Sequence, residues 1–154
     1  MERAQAEPAA SGARKHLLDV LARASLAELN DAYATLSVKP EVSPVRGPET
    51  GLIMLRGRIG AGGAPFNLGE ATVSRATVRL STGEIGHGQC LGGDRTKARL
   101  IAIFDALAQI NDHAALVGGL VASVAEQLES EDKKLAEETA ATRVDFFTMV
   151  RGDD

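Results

Sequence analysis

An α+β fold is predicted for this chain of 154 residues, with an antiparallel sheet flanked in sequence by helices. Three observations carry the prediction. Apolar residues recur at three- and four-residue spacing near both ends, as in Leu17, Leu18, Leu21 and Ala22 and again in Leu116, Leu120, Val124 and Leu128. Between these segments lie three runs rich in Val, Ile, Leu and Thr, joined by glycine-bearing turns. Apolar residues make up 44 % of the chain, enough for one core, and aromatic residues only 3 %, so that core is aliphatic.

The elements follow in order. Residues 1–13, made mainly of Ala, Glu, Pro, Ser and Gly, are expected as a disordered tail, and residues 14–154 as a single domain. The first helix starts at Arg14. Ser25 reads as the N-cap of a second, with Glu28 completing a capping box, and that helix ends near Lys39-Pro40. Pro40, Pro44 and Pro48 then suit an edge strand or an extended linker. Gly51–Ile59, Ala71–Ser81 and Glu84–Gly92 read as three strands of a meander of three or four, with Thr82-Gly83 as a tight turn. Asp94 is a good N-cap for a helix over Arg95–Ile110, whose stripe is Leu100, Ile103, Phe104, Leu107 and Ile110. A further helix starts near Ala114 and carries a charged, solvated run over Glu126–Glu138. The two C-terminal helices are expected on one face of the sheet. In RVDFFTMVRGDD, Val144, Phe146, Thr148 and Val150 alternate with Asp145, Phe147 and Met149, which favours an extended strand or docking tail, with Phe146, Phe147 and Met149 as its docking side chains.

Composition bounds the function. The net charge of −4 without a basic or acidic block gives no nucleic-acid signature. No apolar run reaches the roughly 18 residues of a membrane helix, and the N-terminus lacks the apolar stretch of a secretory signal. Cys90 is the sole cysteine, which excludes an intrachain disulfide and a multi-cysteine metal centre and makes a reducing cytoplasm the expected compartment. No metal-ligand spacing exists among the three histidines and Cys90, so no metal is expected.

The densest punctuation is GRIGAGGAPFNLGE, residues 57–70, with five glycines and one proline. A phosphate-binding P-loop needs a lysine where Gly63 stands, and a dinucleotide fingerprint needs a glycine where Pro65 stands and a helix where a strand follows. The stretch therefore reads as a shaped hairpin connection, with Gly60, Gly62, Gly63, Pro65 and Phe66 presented to a partner. Arg56 and Arg58 share one strand face, as do Arg75 and Arg79. Paired antiparallel, the four would form one guanidinium surface, with Ile53, Leu55, Ile59, Ala76, Val78 and Leu80 on the core side. That surface is either a site for phosphate or for a partner's carboxylates, or a solvated face paired to Glu49, Glu70 and Glu84. His87 is the best general base by residue type, but no nucleophile or orienting carboxylate accompanies it at a motif spacing, so no catalytic residue is assigned. Gly86 and Gly88, flanking His87, leave two bare positions where something packs flat. Cys90 reads as a small buried hydrophobe.

The block from Glu49 to Asp94, followed by Phe104-Asp105-Ala106-Leu107, together with the ending Arg143–Asp153 and the opening LLDVLARASLAEL, resembles the G subunit family of the bacterial carbon–phosphorus lyase system. Gly93 and Lys97 depart from that pattern, where a basic residue and a histidine are expected. The resemblance implies a cytoplasmic accessory subunit in a complex with the H, I and J subunits, contacting the I subunit most extensively. It implies a role in making ribose 1-methylphosphonate 5-triphosphate from MgATP and methylphosphonate, a transferase reaction of the complex. It implies no cofactor in this chain, with the iron–sulfur cluster and S-adenosylmethionine confined to a partner; from charge and hydropathy, neither nucleic acid nor membrane is expected among its associates. A rival reading has the two arginine pairs, Arg56 with Arg58 and Arg75 with Arg79, contribute directly to the phosphate-binding part of the active site, and a third makes the chain a stand-alone small-molecule sensor.

Overall fold

The computed structural model describes residues 8–60 and 62–142. In chain order these form α1 (Pro8–Arg23), α2 (Leu26–Ala34), β1 (Val42–Gly57), β2 (Phe66–Leu80), β3 (Ile85–Leu91), α3 (Arg95–Leu107) and α4 (Asn111–Ala141). The expected docking tail at Phe146, Phe147 and Met149 lies outside the described residues, as do residues 1–7.

The helix starts are the features most directly written in the residues. Ser25 stands in extended conformation, and its hydroxyl accepts from the main-chain N–H of Glu28 at 3.2 Å while the Glu28 carboxylate accepts from the N–H of Ser25 at 2.7 Å. Two N–H groups that a helix start leaves without partners are thereby satisfied. Asp94 caps α3 likewise, accepting from the N–H of Lys97 at 2.8 Å. The first two strands are longer than expected: β1 starts at Val42 and stops at Gly57 rather than Ile59, and β2 starts at Phe66 rather than Ala71, so residues 66–70, read as part of the connection, are strand. Two helix starts also differ from expectation. α1 begins at Pro8, so residues 8–13 are helical and not a tail, the alanines there favouring continuation of the helix. α4 begins at Asn111 rather than near Ala114, and Ile110, expected in α3, is its N-cap.

The sheet is an antiparallel meander of three strands in the order β1-β2-β3. β1 is an edge, which accommodates Pro44 and Pro48 inside it. On β2, Ala76, Val78 and Leu80 are buried as expected. Their expected companions are not: Ile53, Leu55 and Ile59 are 41 %, 43 % and 79 % exposed. Ile59 lies beyond the end of β1, and the register explains the reversal of the other two. Ile53 pairs with Ala71 and Leu55 with Gly69, and directly opposed residues share a face. Ile53 and Leu55 therefore stand on the side of Val73, Arg75 and Arg79, away from Ala76 and Val78. A shift of one residue in pairing moves a whole side-chain set to the other face.

α3 is the centre of the molecule. Every residue from Leu100 to Leu107 is buried, because the helix has the sheet on one side and α1, α2 and α4 around the rest. A helix enclosed all round must be apolar all round, which is broader than the single stripe expected. Of the two C-terminal helices α3 covers the sheet, while α4 leans on α1 and α3 through the buried Val117 and Val124. The contact of α3 with β3 is very close. A Cβ at Gly86 would overlap the carbonyl oxygen of Ala102, and one at Gly88 that of Ala98. Ala98, Ala102 and Ala106 recur every four residues and so present one small-residue ridge to the two bare positions. Something does pack flat there, and it is α3.

Among the described residues no helix is long and apolar enough to cross a membrane.

Candidate functional site

The four arginines are not brought together. Arg75 lies opposite Glu49, and its Nε donates to Glu49 Oε1 at 2.7 Å; Arg46 Nε donates to the same oxygen at 2.9 Å. These contacts, that of Arg75 first, hold the Glu49 carboxyl below the usual carboxylate range. Arg79 shares the Arg75 face and lies opposite Ser43. Arg56, however, lies opposite Asn67, seven positions along β1 from Glu49, which is about 23 Å of strand. Arg58 lies just beyond the end of β1. Among the described residues neither Arg56 nor Arg58 has an acidic partner.

The glycine stretch joins β1 to β2, and no helix N-terminus opens from it, so it lacks the main-chain dipole that a phosphate cradle uses. Gly60 has φ +66°, and a Cβ at Gly63 would overlap the carbonyl oxygen of Ile59, so the turn requires glycine at both. Gly62 faces open space. Pro65 is exposed, and Phe66, also exposed, opens β2 opposite Gly57.

The turn is the tip of a larger feature. β3 pairs with β2 as far as the Val73–Leu91 pair, with one more main-chain bond from Gly92 N–H to the Thr72 carbonyl, so residues 51–60 and 62–70 run on as a two-stranded arm. Both faces of the arm are exposed. Leu52 and Met54, at 63 % and 59 %, stand on one; Ile53 and Leu55 stand on the other. Leu68, at 64 %, and Ile59 continue the apolar surface to the tip.

The polar groups inside the molecule are committed to the fold. Asp105 is fully buried in α3 and accepts a two-pronged bond from Arg14 of α1, with Nε at 2.9 Å and Nη2 at 2.7 Å. It also accepts from the main-chain N–H of His87 at 2.7 Å. One carboxylate thus ties α1, α3 and β3 together. The imidazole of His87 is on the exposed side of β3, with Nδ1 3.2 Å from Thr77 Oγ1, so His87 and Asp105 meet only through main chain and do not form an acid–base pair. Glu84 is engaged by the Thr82 hydroxyl within the turn, which lowers the pKa of its carboxyl. A second chain of bonds runs from Arg95 Nε to Thr50 Oγ1 at 3.2 Å, on to the buried Ser74 Oγ at 2.9 Å, and to the carbonyl of Gly92 at 2.9 Å. Cys90 is buried, with Sγ 3.6 Å from the Asp94 carbonyl, and burial pushes its thiol pKa up, the opposite of what a nucleophile needs. Among the described residues no cluster of His, Cys, Asp and Glu could hold a metal ion, and no buried side-chain polar atom lacks a partner.

Sequence reasoning missed two things here. Asp105 had one signal, a lone carboxylate in the apolar run Leu100–Leu107, but its partner Arg14 sits ninety-one positions away. The arm had none, because an apolar strand reads as core.

These features define a small α+β protein whose inner polar groups serve its own fold and whose exposed apolar surface is concentrated on one arm. The chain belongs to the family of phosphonate metabolism protein PhnG, whose family model matches residues 12–152. It is similar to the alpha-D-ribose 1-methylphosphonate 5-triphosphate synthase subunit PhnG of Rhizobium meliloti (strain 1021), with 66 % identity over 141 residues, covering 92 % of this chain and 90 % of that protein.

Proposed function

We propose that this chain is an accessory subunit of a ribose 1-methylphosphonate 5-triphosphate synthase, in the cytoplasm, and that it acts by assembling with the H, I and J subunits rather than by supplying reacting groups. In this reading MgATP and methylphosphonate are substrates of the complex, a transferase, and the iron–sulfur and S-adenosylmethionine chemistry belongs to the J partner. The observation that carries the reading is the 66 % identity, over 92 % of the chain, to a protein named as a subunit of that synthase. The exposed apolar arm supports it, since such surface on a small domain is normally covered by another chain.

The test is expression of the tagged chain with and without the H, I and J subunits. Alone, the protein is expected to be poorly soluble or oligomeric, and co-expression is expected to rescue it into a stoichiometric complex that forms the product. A chain that stays monomeric at every concentration and fails to join the others counts against the reading. Arg56→Ala and Arg75→Ala address the rival in which these arginines bind the triphosphate: there the complex would assemble normally and turnover would drop sharply. Because Arg75 is already engaged by Glu49, Arg75→Ala is expected to leave turnover within about threefold.

A further inference from the structure

We propose that the arm formed by residues 51–60 and 62–70 is a plug, inserted into a slot of another subunit that covers both of its faces, adds a strand along the β1 edge and presents carboxylates to Arg56 and Arg58. The inference rests on the subunit reading above and specifies where and how this chain docks.

Three observations carry it. The first is stability. A two-stranded hairpin alone is marginal in water, and this one lacks a third strand beyond its base at the Leu52–Thr72 pair while carrying apolar side chains on both faces, Leu52 and Met54 against Ile53 and Leu55. The second is the edge. Pro44 and Pro48 break the row of N–H donors in the first part of β1, which blunts it against pairing. From Glu49 to Gly57 there is neither proline nor lysine, and the main chain is free to take another strand. The third is charge. Arg56 and Arg58 lie at the far end of the arm without an acidic partner among the described residues, whereas Arg75, nearer the body, has one. Guanidinium groups at the rim of an apolar patch select a partner with carboxylates there.

A second copy of this chain is a poorer occupant. Edge-to-edge pairing of two β1 strands would join the sheets but leave both faces of each arm in water. A slot in a different chain covers two faces and an edge at once.

The experiment measures association of the chain with the remaining synthase subunits by sedimentation, for the wild type and for Leu52→Asp, Ile53→Asp and Arg56→Glu. Each aspartate variant, one per face, is expected to weaken association by at least about 30-fold, as at a central interface residue. Arg56→Glu is expected to weaken it too, while Arg56→Lys retains most of it. All three altered sites are solvent-exposed, so far-UV circular dichroism and thermal unfolding of each variant should match the wild type. If the wild type joins the complex and both aspartate variants join equally well, the plug is wrong and the subunit reading stands. If only one face matters, the two-sided slot is wrong. If the isolated chain dimerises and Leu52→Asp abolishes the dimer without affecting the complex, the occupant is a second copy and the proposal falls. If the wild type joins no other subunit, both readings fall together.

Discussion

Asp105 shows how much of this molecule turns on single side chains. A fully buried carboxylate is costly unless it is paired and hydrogen-bonded, and here Arg14 and the main-chain N–H of His87 supply three bonds. Asp105→Asn keeps the shape but loses the charge in three charge-assisted bonds, and it is expected to lower stability by about 2 kcal/mol in urea unfolding. His87→Ala, though it alters a residue bonded to Asp105, removes only a side chain that meets Thr77, so less than about 0.5 kcal/mol should be lost. Equal losses from the two variants would refute this assignment of roles. Cys90 offers a test of burial at the same scale. Because its thiol is buried and its pKa raised, it should react with a disulfide reagent at pH 8 far more slowly in the native protein than in urea.

At the scale of elements, two contacts decide how the helices sit. The flat seat of α3 on β3 leaves no room for a methyl group at Gly86 or Gly88, since each would run into main chain that cannot yield without moving the helix. Gly88→Ala should therefore cost at least about 3 kcal/mol. Gly118 and Gly119 in α4 face open space, and Ala at either should stabilise by about 0.5–1 kcal/mol. Opposite signs for the same substitution, read from the unfolding midpoint, are the discriminating result. The capping box adds a pH dependence. Bonds from the hydroxyl and then the N–H of Ser25 lower the pKa of Glu28 in the folded state. A depressed folded value means the stabilisation is complete above the unfolded value of about 4.3 and fades as pH falls through the folded one. Glu28→Gln should flatten that part of the acid-unfolding curve. Both caps were legible in the residues, because Ser25 with Glu28, and Asp94 before a helix, are local patterns. The bare pair Gly86 and Gly88 was legible as a flat contact, though not as the seat of α3. The face of β1 was not legible. It depends on whether Ile53 meets Ala71 or a neighbour one position away, and the glycine-rich turn between the strands leaves that open.

For the whole molecule, hydrophobic pattern told which residues seek cover and was silent on whose cover they find. Leu52, Ile53, Met54 and Leu55 form as apolar a run as any in the core, yet all four are exposed, because the sheet and α3 stop short of them. The body and the arm should accordingly differ in local stability. The body holds its amides between β2, β3 and the enclosed α3, so they open only in global unfolding. The arm has only its own two strands, and its amides can open without disturbing the body. In native-state hydrogen exchange of the isolated chain, residues 52–70 should show opening free energies below about 2 kcal/mol, while residues 76–80 and 100–107 reach the global value, of order 5–15 kcal/mol. In the assembled complex the arm should rise toward the body and the body should change little. Uniform protection in the isolated chain would mean that the arm is held by something other than its own ladder, and would remove the physical reason for a covering partner.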